Sequence, residues 1–360
     1  MCYNELLKPK ERRMQDFEQI TKEIAQTRRK WLVTGCAGFI GSNLLETLLA
    51  SGQEVVGVDN FSTGFRENLE EVEAKLGNAY RENFTFIEGD IAHKEIAKEA
   101  CRGVEIVLHQ AALGSVPRSI ADPLATNHTN ITGFLTLLTS AKEAGIKRFV
   151  YASSSSVYGD SQELPKVESR VGEPLSPYAV SKKTDELYGR VFFQTYGMQT
   201  IGLRYFNVFG QRQTPFGAYS AVIPKWIGLL LRHQKVTLYG DGLTSRDFTY
   251  VKNVIAMNLL AGTTTNQEAF GEVFNTAVGG RYTLKRLYEI MGDTLRGYQH
   301  HFKLPPLAYD TFRQGDIRHS HADISKAKRL LGYTPLYTLE EGLEEAMVWY
   351  IDYFKKQEEM

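Results

Sequence analysis

The chain has 360 residues, of which 42% are hydrophobic and 23% are charged, an ordinary composition for a soluble protein. Lysine plus arginine and aspartate plus glutamate both number 42, so the formal net charge is zero. This balance argues against a nucleic-acid-binding protein and against one held on an anionic membrane.

Cysteine usage and the N-terminal sequence indicate where the protein works. Cys2, Cys36 and Cys101 are odd in number and far apart, which fits a reducing compartment without a disulfide framework. Residues 1–30 lack the apolar segment of a signal peptide. No apolar run reaches the roughly 20 residues needed to span a bilayer, so we expect a cytoplasmic protein.

Short apolar strands alternate with helices from the start of the chain to about residue 209. An amphipathic helix over 12–28 is expected to pack on the outside of the fold rather than to anchor the chain in a membrane. Such an alternation indicates an α/β fold with a doubly wound parallel sheet, the Rossmann architecture, covered by helices on both faces. The predicted strands are 31–34, 54–59, 84–87, 106–109, 148–152 and 200–205, and the predicted helices that separate them are 39–51, 94–101, 127–144 and 178–196.

Beyond about residue 209 the alternation ends, and prolines and glycines separate short elements. Residues 1–209 are therefore predicted to form the Rossmann domain with an N-terminal extra helix. Residues 210–246 and 278–360 are predicted to form a smaller α/β domain that binds the substrate. The segment 247–277 looks regular again and is predicted to rejoin the first domain. The C-terminus has the period of an amphipathic helix over 340–353.

A glycine-rich turn follows the first predicted strand and opens the next helix. Gly35, Gly38 and Gly41 have the spacing of a phosphate-binding turn, with Phe39 and Ile40 before the last glycine. Small residues there let backbone N–H groups approach a pyrophosphate, and the helix N-terminus adds positive potential. The alternative is that the glycines only turn a tight corner.

A carboxylate ends the second predicted strand, where a dinucleotide ribose lies in such folds. Asp59 can accept hydrogen bonds from a ribose 2′-hydroxyl and would repel a 2′-phosphate, so the sequence favours NAD over NADP. The alternative is that Asp59 merely caps its strand. Asp90 and Ile91 end the third strand near the expected adenine. The further residues predicted to contact the cofactor are Asn60, Phe61, Ser62, Thr63, Gly64, Gln110, Ala111, Ala112, Tyr205 and Val208.

The most informative pair is Tyr178 and Lys182. Ser176 and Pro177 look like the N-cap and first residue of the helix that carries this pair. Residues four apart share one helix face, and an ammonium close to a phenol favours the phenolate. Such a phenolate can take a proton from an alcohol near neutral pH. Beside a dinucleotide site, the pair indicates hydride chemistry at an alcohol carbon.

A serine run ends the fifth predicted strand, at the carboxyl edge where open α/β sheets bind ligands. Ser154, Ser155 and Ser156 are predicted to act beside Tyr178. A serine run by itself is more often a polar turn. Because the glycine loop and the tyrosine–lysine pair are also present, we assign this run to the active site.

Together these motifs resemble the extended short-chain dehydrogenases acting on nucleotide sugars. The similarity covers about residues 30–350 in the right order, and within that family the chain is most similar to the UDP-sugar 4-epimerases, particularly those acting on UDP-N-acetylglucosamine and UDP-N-acetylgalactosamine. The resemblance is carried by the glycine loop, Ser154–Gly159, Ser176–Lys182, Arg204–Asn207, Ser245–Phe248 and the stretch Ala111–Ser119.

The resemblance implies a reversible oxidation at the sugar C4. Tyr178 would take the proton of the 4-hydroxyl, and hydride would pass to NAD and return to the opposite face of a 4-keto sugar. Lys182 would support Tyr178 and hold the nicotinamide ribose, while Ser154 would bridge the hydroxyl and the phenol. No metal is implied, and a homodimer through a four-helix bundle is expected, formed by the helices 127–144 and 178–196.

Further residues of the resemblance would bind the UDP-sugar. Arg246 and Arg313 are expected on the diphosphate, and Asp316 on the uridine ribose, although lone arginines are more often solvated surface groups. Trp226 could equally belong to the core. The remaining residues expected at the substrate are Gly114, Ser115, Asn207, Ala221, Val222, Lys225 and Ser320.

Differences within the motifs bear on the reaction and the sugar. Dehydratases and decarboxylases on this scaffold carry carboxylates where this chain has Ser155 and Ser156, so elimination is disfavoured but stays an alternative. Ser320 stands where relatives restricted to unacetylated hexoses have a bulky aromatic residue, which implies room for an N-acetyl group. Tyr239, Thr237 and Ser153 depart from the N-acetyl subgroup, which leaves a uronic sugar open. A non-catalytic NAD-binding module is the remaining alternative.

Overall fold

The computed structural model describes residues 9–216, 220–312 and 318–359. In chain order the strands are β1 (Lys30–Thr34), β2 (Glu54–Asp59), β3 (Phe84–Glu88), β4 (Ile106–His109), β5 (Arg148–Ser154), β6 (Gln199–Tyr205), β7 (Val208–Phe209), β8 (Thr237–Tyr239), β9 (Ser245–Arg246), β10 (Thr249–Tyr250), β11 (Glu272–Thr276), β12 (Tyr282–Thr283) and β13 (Ala308–Asp310).

Helices cover both faces of the sheet and build most of the C-terminal part. The α-helices are α1 (Pro9–Ala25), α2 (Phe39–Ala50), α3 (Arg66–Leu76), α4 (Asn78–Asn83), α5 (Lys94–Ala100), α6 (Val116–Ala121), α7 (Pro123–Asn127), α8 (Phe134–Glu143), α9 (Pro177–Tyr196), α10 (Val222–Leu231), α11 (Val251–Thr263), α12 (Leu284–Tyr298), α13 (Ser325–Leu331) and α14 (Leu339–Glu359). A π-helix, His128–Gly133, joins α7 to α8, and short 3-10 helices cover Ser155–Tyr158 and Gln267–Ala269.

Seven parallel strands form the central sheet in the order β11-β6-β5-β4-β1-β2-β3. The order reverses between β1 and β4, so their carboxyl ends border the crevice in which doubly wound folds bind ligands. All six predicted strands are present, with ends extended by no more than two residues. The predicted doubly wound Rossmann architecture is confirmed.

Apolar side chains alternate along the buried strands and fill a core on each face. Trp31 and Val33 of β1 belong to one core, while Leu32 between them belongs to the other. Both cores are covered by helices, which explains why the strands read as continuous apolar runs. No helix in the described ranges combines the length and the apolar character that a membrane crossing requires.

After β6 the chain builds small two-stranded sheets, β7 with β10, β8 with β13 and β9 with β12. The segment 247–277 supplies α11 and β11, and β11 pairs in parallel with β6 at the edge of the large sheet. The division into two domains stays a prediction.

Helix boundaries differ from the sequence expectations in three places. α1 lies three residues earlier than the predicted helix 12–28, and α14 extends beyond 340–353 to residue 359. The helix predicted over 127–144 starts earlier, at Pro123, because Asp122 caps it by accepting a hydrogen bond from the Ala125 N–H at 2.9 Å. Its middle is a π-helix, in which Asn130 bonds both backbone groups of Leu113 and the Ser181 hydroxyl.

Candidate active site

A cavity of about 600 Å³ opens at the carboxyl ends of the central strands. It is lined by most of the residues that the sequence predicts for a cofactor, and by both members of the tyrosine–lysine pair. The predicted residues that line it are Gly35, Gly38, Phe39, Ile40, Gly41, Asp59, Asn60, Ser62, Thr63, Gly64, Asp90, Ile91, Gln110, Ala111, Ala112, Gly114, Ser154, Tyr178, Lys182, Tyr205, Asn207 and Val208.

The glycine loop forms the floor of this cavity, and its geometry requires glycine. A Cβ on Gly41 would lie 2.0 Å from the Gly35 carbonyl oxygen, and Gly35 itself has a φ of +66°. The loop leads into α2, whose first turn has no acidic residue and no side-chain cap. Its first N–H groups can therefore bind an anion such as a pyrophosphate.

Asp59 projects from the end of β2 beside this loop. Its carboxylate accepts hydrogen bonds from the Ala37 N–H at 2.9 Å and the Phe61 N–H at 2.8 Å. Burial raises the pKa of Asp59, and these backbone donors partly offset that effect. The carboxylate is thus held at the cavity wall, where it could accept hydrogen bonds from ribose hydroxyls. The loop and Asp59 together fit NAD.

Helix α9 presents Tyr178 and Lys182 to the cavity. The helix starts as the sequence predicts, with the Ser176 hydroxyl accepting from the Ala179 N–H and Pro177 in the first turn. Lys182 is buried, and its ammonium donates to the Asp185 carboxylate at 3.1 Å. Burial raises the pKa of Asp185 to about 7, although the Lys182 ammonium opposes the rise. Asp185 therefore fixes the position of Lys182.

Two other tyrosines at this edge of the sheet are engaged elsewhere. The Tyr158 hydroxyl donates to Asn275 at 2.6 Å, and burial raises its pKa to about 12. The Tyr205 hydroxyl bonds Gln110 and Asn258, both at 2.9 Å, and burial raises its pKa further. Both phenols are held protonated, which leaves Tyr178 as the phenol that can act as a base at the cavity wall.

His109 lies behind Lys182 at the end of β4 and stays neutral. Burial, with a contribution from the Lys182 ammonium, lowers the pKa of His109 to about 3. Its Nδ1 lies 2.8 Å from the Thr34 hydroxyl, whose oxygen accepts from the backbone N–H groups of Gln110 and Ala111. The Thr34 hydroxyl therefore donates to Nδ1, and the imidazole serves to hold the strand ends together.

A buried ion pair supports the serine run. Ser153 donates from its hydroxyl to Glu186 on α9 at 2.6 Å. Arg204 of β6 donates two hydrogen bonds to the same carboxylate, from Nε at 2.7 Å and from Nη2 at 2.8 Å. Its guanidinium also lies 4.8 Å from the centre of the Tyr158 ring. The end of β5, where Ser154 lines the cavity, is thereby tied to α9 and β6.

A second cavity, of about 400 Å³, adjoins the first and shares Asn207 and Val208 with it. Among the residues that the structure describes, Lys225 and Arg246 are the cations that line it. Trp226 also lines it, although this side chain is only 5% exposed and packs edge-on against Tyr288 in the core. The other residues predicted for the substrate that line this cavity are Ala221 and Val222.

Several predicted residues do not line either cavity. Phe61, Ser115, Ser155 and Ser156 are not among the lining residues, and neither is Ser320, whose N–H donates to the Ser245 carbonyl beside Arg246. Within the described ranges the Ser156 hydroxyl oxygen is buried without a hydrogen-bond partner. The predictions for Arg313 and Asp316 fall outside the described residues.

Sequence reasoning also missed residues that the structure places at or behind the site. Arg118, Thr214 and Phe216 line the large cavity, and no short motif marks Thr214 or Phe216. Asp185 could have been found from its spacing, because a residue three positions after Lys182 shares its helix face. Glu186 and Arg204 meet only through tertiary packing.

Comparison with known proteins places this arrangement in a family. The sequence profile described as the NAD dependent epimerase/dehydratase family matches residues 31–277. A UDP-glucose 4-epimerase from Mycolicibacterium smegmatis is 32% identical over 89% of this chain and 97% of its own length.

Two solved structures are similar along nearly their whole length. A UDP-N-acetylglucosamine 4-epimerase from Methanobrevibacter ruminantium, in complex with UDP-N-acetylmuramic acid, is 38% identical with a TM-score of 0.82, covering 91% of this chain and 99% of its own. A UDP-glucuronic acid 4-epimerase from Bacillus cereus, with UDP-glucuronic acid and NAD, is 30% identical with a TM-score of 0.79, covering 90% and 99%.

Proposed function

Since the chain belongs to the NAD-dependent epimerase/dehydratase family, we propose that it is a UDP-sugar 4-epimerase whose preferred substrates are UDP-N-acetylhexosamines. The main observation behind the proposal is that Tyr178, Lys182 and Ser154 line the same cavity as the glycine loop. NAD, when bound there, supplies the chemistry by accepting a hydride from the sugar C4 and returning it.

The protein's own residues move the proton of the 4-hydroxyl. Tyr178, as phenolate, takes this proton and later returns it, while Ser154 bridges the hydroxyl and the phenol. Lys182, held by Asp185 at 3.1 Å, keeps a positive charge next to the phenolate. Tyr205 and Tyr158 cannot replace Tyr178, because their hydroxyls are committed to other partners.

The residues at the end of β5 favour epimerisation over elimination. Dehydration needs an acid and a base beside the sugar C5 and C6, and this chain has Ser155 and Ser156 instead of carboxylates. The proposed reaction is therefore confined to C4, where the hydroxyl proton and the carbon-bound hydride are removed and later returned.

The second cavity is proposed to anchor the UDP group. Arg246 can fork onto diphosphate oxygens and Lys225 adds a second positive charge. Because Asn207 and Val208 border both cavities, a diphosphate held in the second would deliver its sugar to Tyr178 in the first. We also propose Arg313 and Asp316 as ligands of the diphosphate and the uridine ribose. The free, buried thiols of Cys36 and Cys101 fit the cytoplasm as the place of this reaction.

The experiment that tests the function uses purified protein with no NAD added. UDP-GlcNAc, UDP-GalNAc, UDP-glucose and UDP-galactose are incubated separately, and the products are resolved by NMR. Faster interconversion of the N-acetyl pair than of the hexose pair supports the proposal. A stable 4-keto-6-deoxy product from any of these sugars would instead indicate a dehydratase. Release of CO₂ from UDP-glucuronic acid, tested as a fifth substrate, would indicate a decarboxylase.

Ser320 lines neither cavity, but its N–H is hydrogen-bonded to Ser245, the neighbour of the cavity residue Arg246, and we propose that it leaves room beside the sugar for an N-acetyl group. Ser320→Tyr is expected to lower kcat/KM for UDP-GlcNAc by about tenfold or more, because added bulk at the sugar wall excludes the acetamido group. The value for UDP-glucose should change far less. Equal losses on both sugars, measured by the same NMR assay, would contradict this role.

We propose further that the active form is a homodimer. The outer face of α9 exposes Val180, Leu187 and Val191, each about half exposed, at positions that repeat along one helix face. Ile120 on α6 and Leu124 on α7 are exposed on the helices that pack beside α9. A second copy presenting the same face would bury this apolar surface, as a two-fold interface requires.

Leu187→Glu is expected to convert a dimer into a monomer, because it places a charge in the centre of this face. Light scattering after gel filtration measures the change. Val348→Glu on α14 is the matched control, since Val348 is similarly exposed but lies on another helix, and it should leave the mass unchanged. A wild-type monomer at micromolar concentration would contradict the dimer.

A further inference from the structure

One wall of the large cavity is formed by residues 207–216, here called the wall segment. Asn207, Val208, Thr214 and Phe216 of this segment line the same cavity as the glycine loop, which forms another part of its wall. In its middle lies Arg212, whose side chain is 0% exposed. The backbone of Arg212 has a φ of +65°, which is uncommon for a residue other than glycine and has to be held by its surroundings.

Arg212 binds both helices that stand behind the glycine loop. Its Nε and one terminal nitrogen donate to the Glu71 carboxylate on α3 at 3.1 and 2.9 Å, and that terminal nitrogen also pairs with Glu46 on α2. The other terminal nitrogen donates to the Ser42 carbonyl at 3.3 Å. Burial raises the pKa of Glu46, but the Arg212 guanidinium and Lys75 outweigh it and keep that pKa below its ordinary value.

The neighbouring residue adds a second attachment to α2. The Gln211 amide donates to the Asn43 side chain at 2.7 Å, and the Asn43 amide donates to the Gln211 carbonyl at 3.2 Å and to the Phe39 carbonyl at 2.8 Å. Phe39 belongs to the glycine loop. Two consecutive residues of the wall segment are thus bonded to α2, the helix that follows the glycine loop.

The C-terminal helix α14 supports the wall segment from outside. The Tyr350 hydroxyl donates to the Gly210 carbonyl at 3.0 Å, and the Phe216 ring packs edge-on against Phe354. The Trp349 indole N–H donates at 3.1 Å to the second oxygen of Glu71. Glu71 therefore joins the wall segment, α14 and α3 in one network.

We propose that Arg212, through Glu46 and Glu71, is a positioning residue that holds the two cavity walls together around NAD and sets how slowly the cofactor leaves. This inference rests on the NAD site of the proposed function. It follows because Arg212 is the cation that Glu46 and Glu71 share, and its loss removes the ion pairs that attach the wall segment to α2 and α3. Thr214 and Phe216, two and four residues further on, would then lose their fixed distance from the glycine loop.

The test measures NAD release rather than turnover. Arg212→Met is purified with NAD bound, and the rate of NAD loss is followed after dilution into a large excess of a NAD-scavenging enzyme. We expect release about tenfold faster than in the wild-type protein, or more, which corresponds to a loss of about 1.4 kcal/mol in the stability of the bound state. Glu71→Gln keeps the shape of a half-exposed side chain and should increase the rate of NAD release by a smaller factor. This variant serves as the test if Arg212→Met does not fold.

Arg148→Met is the matched control. Arg148 is also buried and donates hydrogen bonds to the carbonyls of Ala261, Gly262 and Thr264. It lies at the amino end of β5, whereas the cavity opens at the carboxyl ends of the strands. It should lower stability without speeding NAD release. The inference is overturned if folded Arg212→Met and Glu71→Gln release NAD as slowly as wild type, or if Arg148→Met releases it as fast as they do. A wild-type protein that holds no NAD would overturn the proposed function as well.

Discussion

Replacing Tyr178 by phenylalanine is expected to lower kcat for the UDP-sugar by about 10²–10⁴-fold, the usual contribution of a general base. The phenol is the group at the cavity wall that can take the proton of the 4-hydroxyl, because the other phenols near it are committed to hydrogen bonds. The loss of one oxygen removes no contact of the glycine loop. Cofactor content, measured by the absorbance of NAD released on denaturation, should therefore match that of the wild-type protein.

Tyr158→Phe is the control for this prediction. Tyr158 lies at the same edge of the sheet but is buried against Asn275 rather than facing the cavity. Its loss leaves a buried amide oxygen without that partner and is expected to cost about 1–3 kcal/mol of the free energy of unfolding, with most of the turnover kept. Normal turnover by the Tyr178→Phe variant would remove Tyr178 from the mechanism.

Replacing Arg204 by methionine is expected to have the largest effect on stability. Arg204 is the counterion of Glu186, and both side chains are almost completely buried. Removing one partner of such a pair leaves an uncompensated charge, which costs about 3–5 kcal/mol of the free energy of unfolding. Chemical denaturation with an unchanged m-value is the measurement.

A double-mutant cycle separates this pairing from simple loss of packing. When Glu186→Met is added to Arg204→Met, no buried charge remains, and the double variant should be more stable than the sum of the single effects predicts. The Ser153 hydroxyl loses its acceptor in both variants that lack Glu186, so the cycle isolates the ion pair. Additive losses would contradict the assignment of the destabilisation to an uncompensated charge.

Local features of the sequence were sufficient for the fold class and for part of the candidate site. Apolar runs four to six residues long predicted six strands of the sheet, because a strand buried on both faces excludes polar residues along its length. The glycine loop was recognisable since its spacing reflects a backbone that a Cβ would obstruct. Tyr178 and Lys182 were paired by their separation of four on one helix face.

Other features depended on how distant segments meet. Arg204 and Glu186 are on a strand and a helix, and Arg212 reaches two helices more than 140 positions earlier in the chain. No periodicity marks such partners, since their contact depends on strand order and helix packing. The same holds for Thr214 and Phe216, which line the cavity only because the wall segment packs against α2 and α14.

The amino-acid sequence by itself therefore determined the doubly wound sheet, the phosphate-binding turn and the tyrosine–lysine pair, all of which depend on spacings within one or two elements. Only the tertiary structure decided that Arg212 pairs with Glu46 and Glu71, that Ser153 is tied to the Arg204–Glu186 pair, and that the two cavities share Asn207. The physical reason is range: turn and helix geometry act over a few residues, whereas buried charges find their partners through the packing of the whole chain.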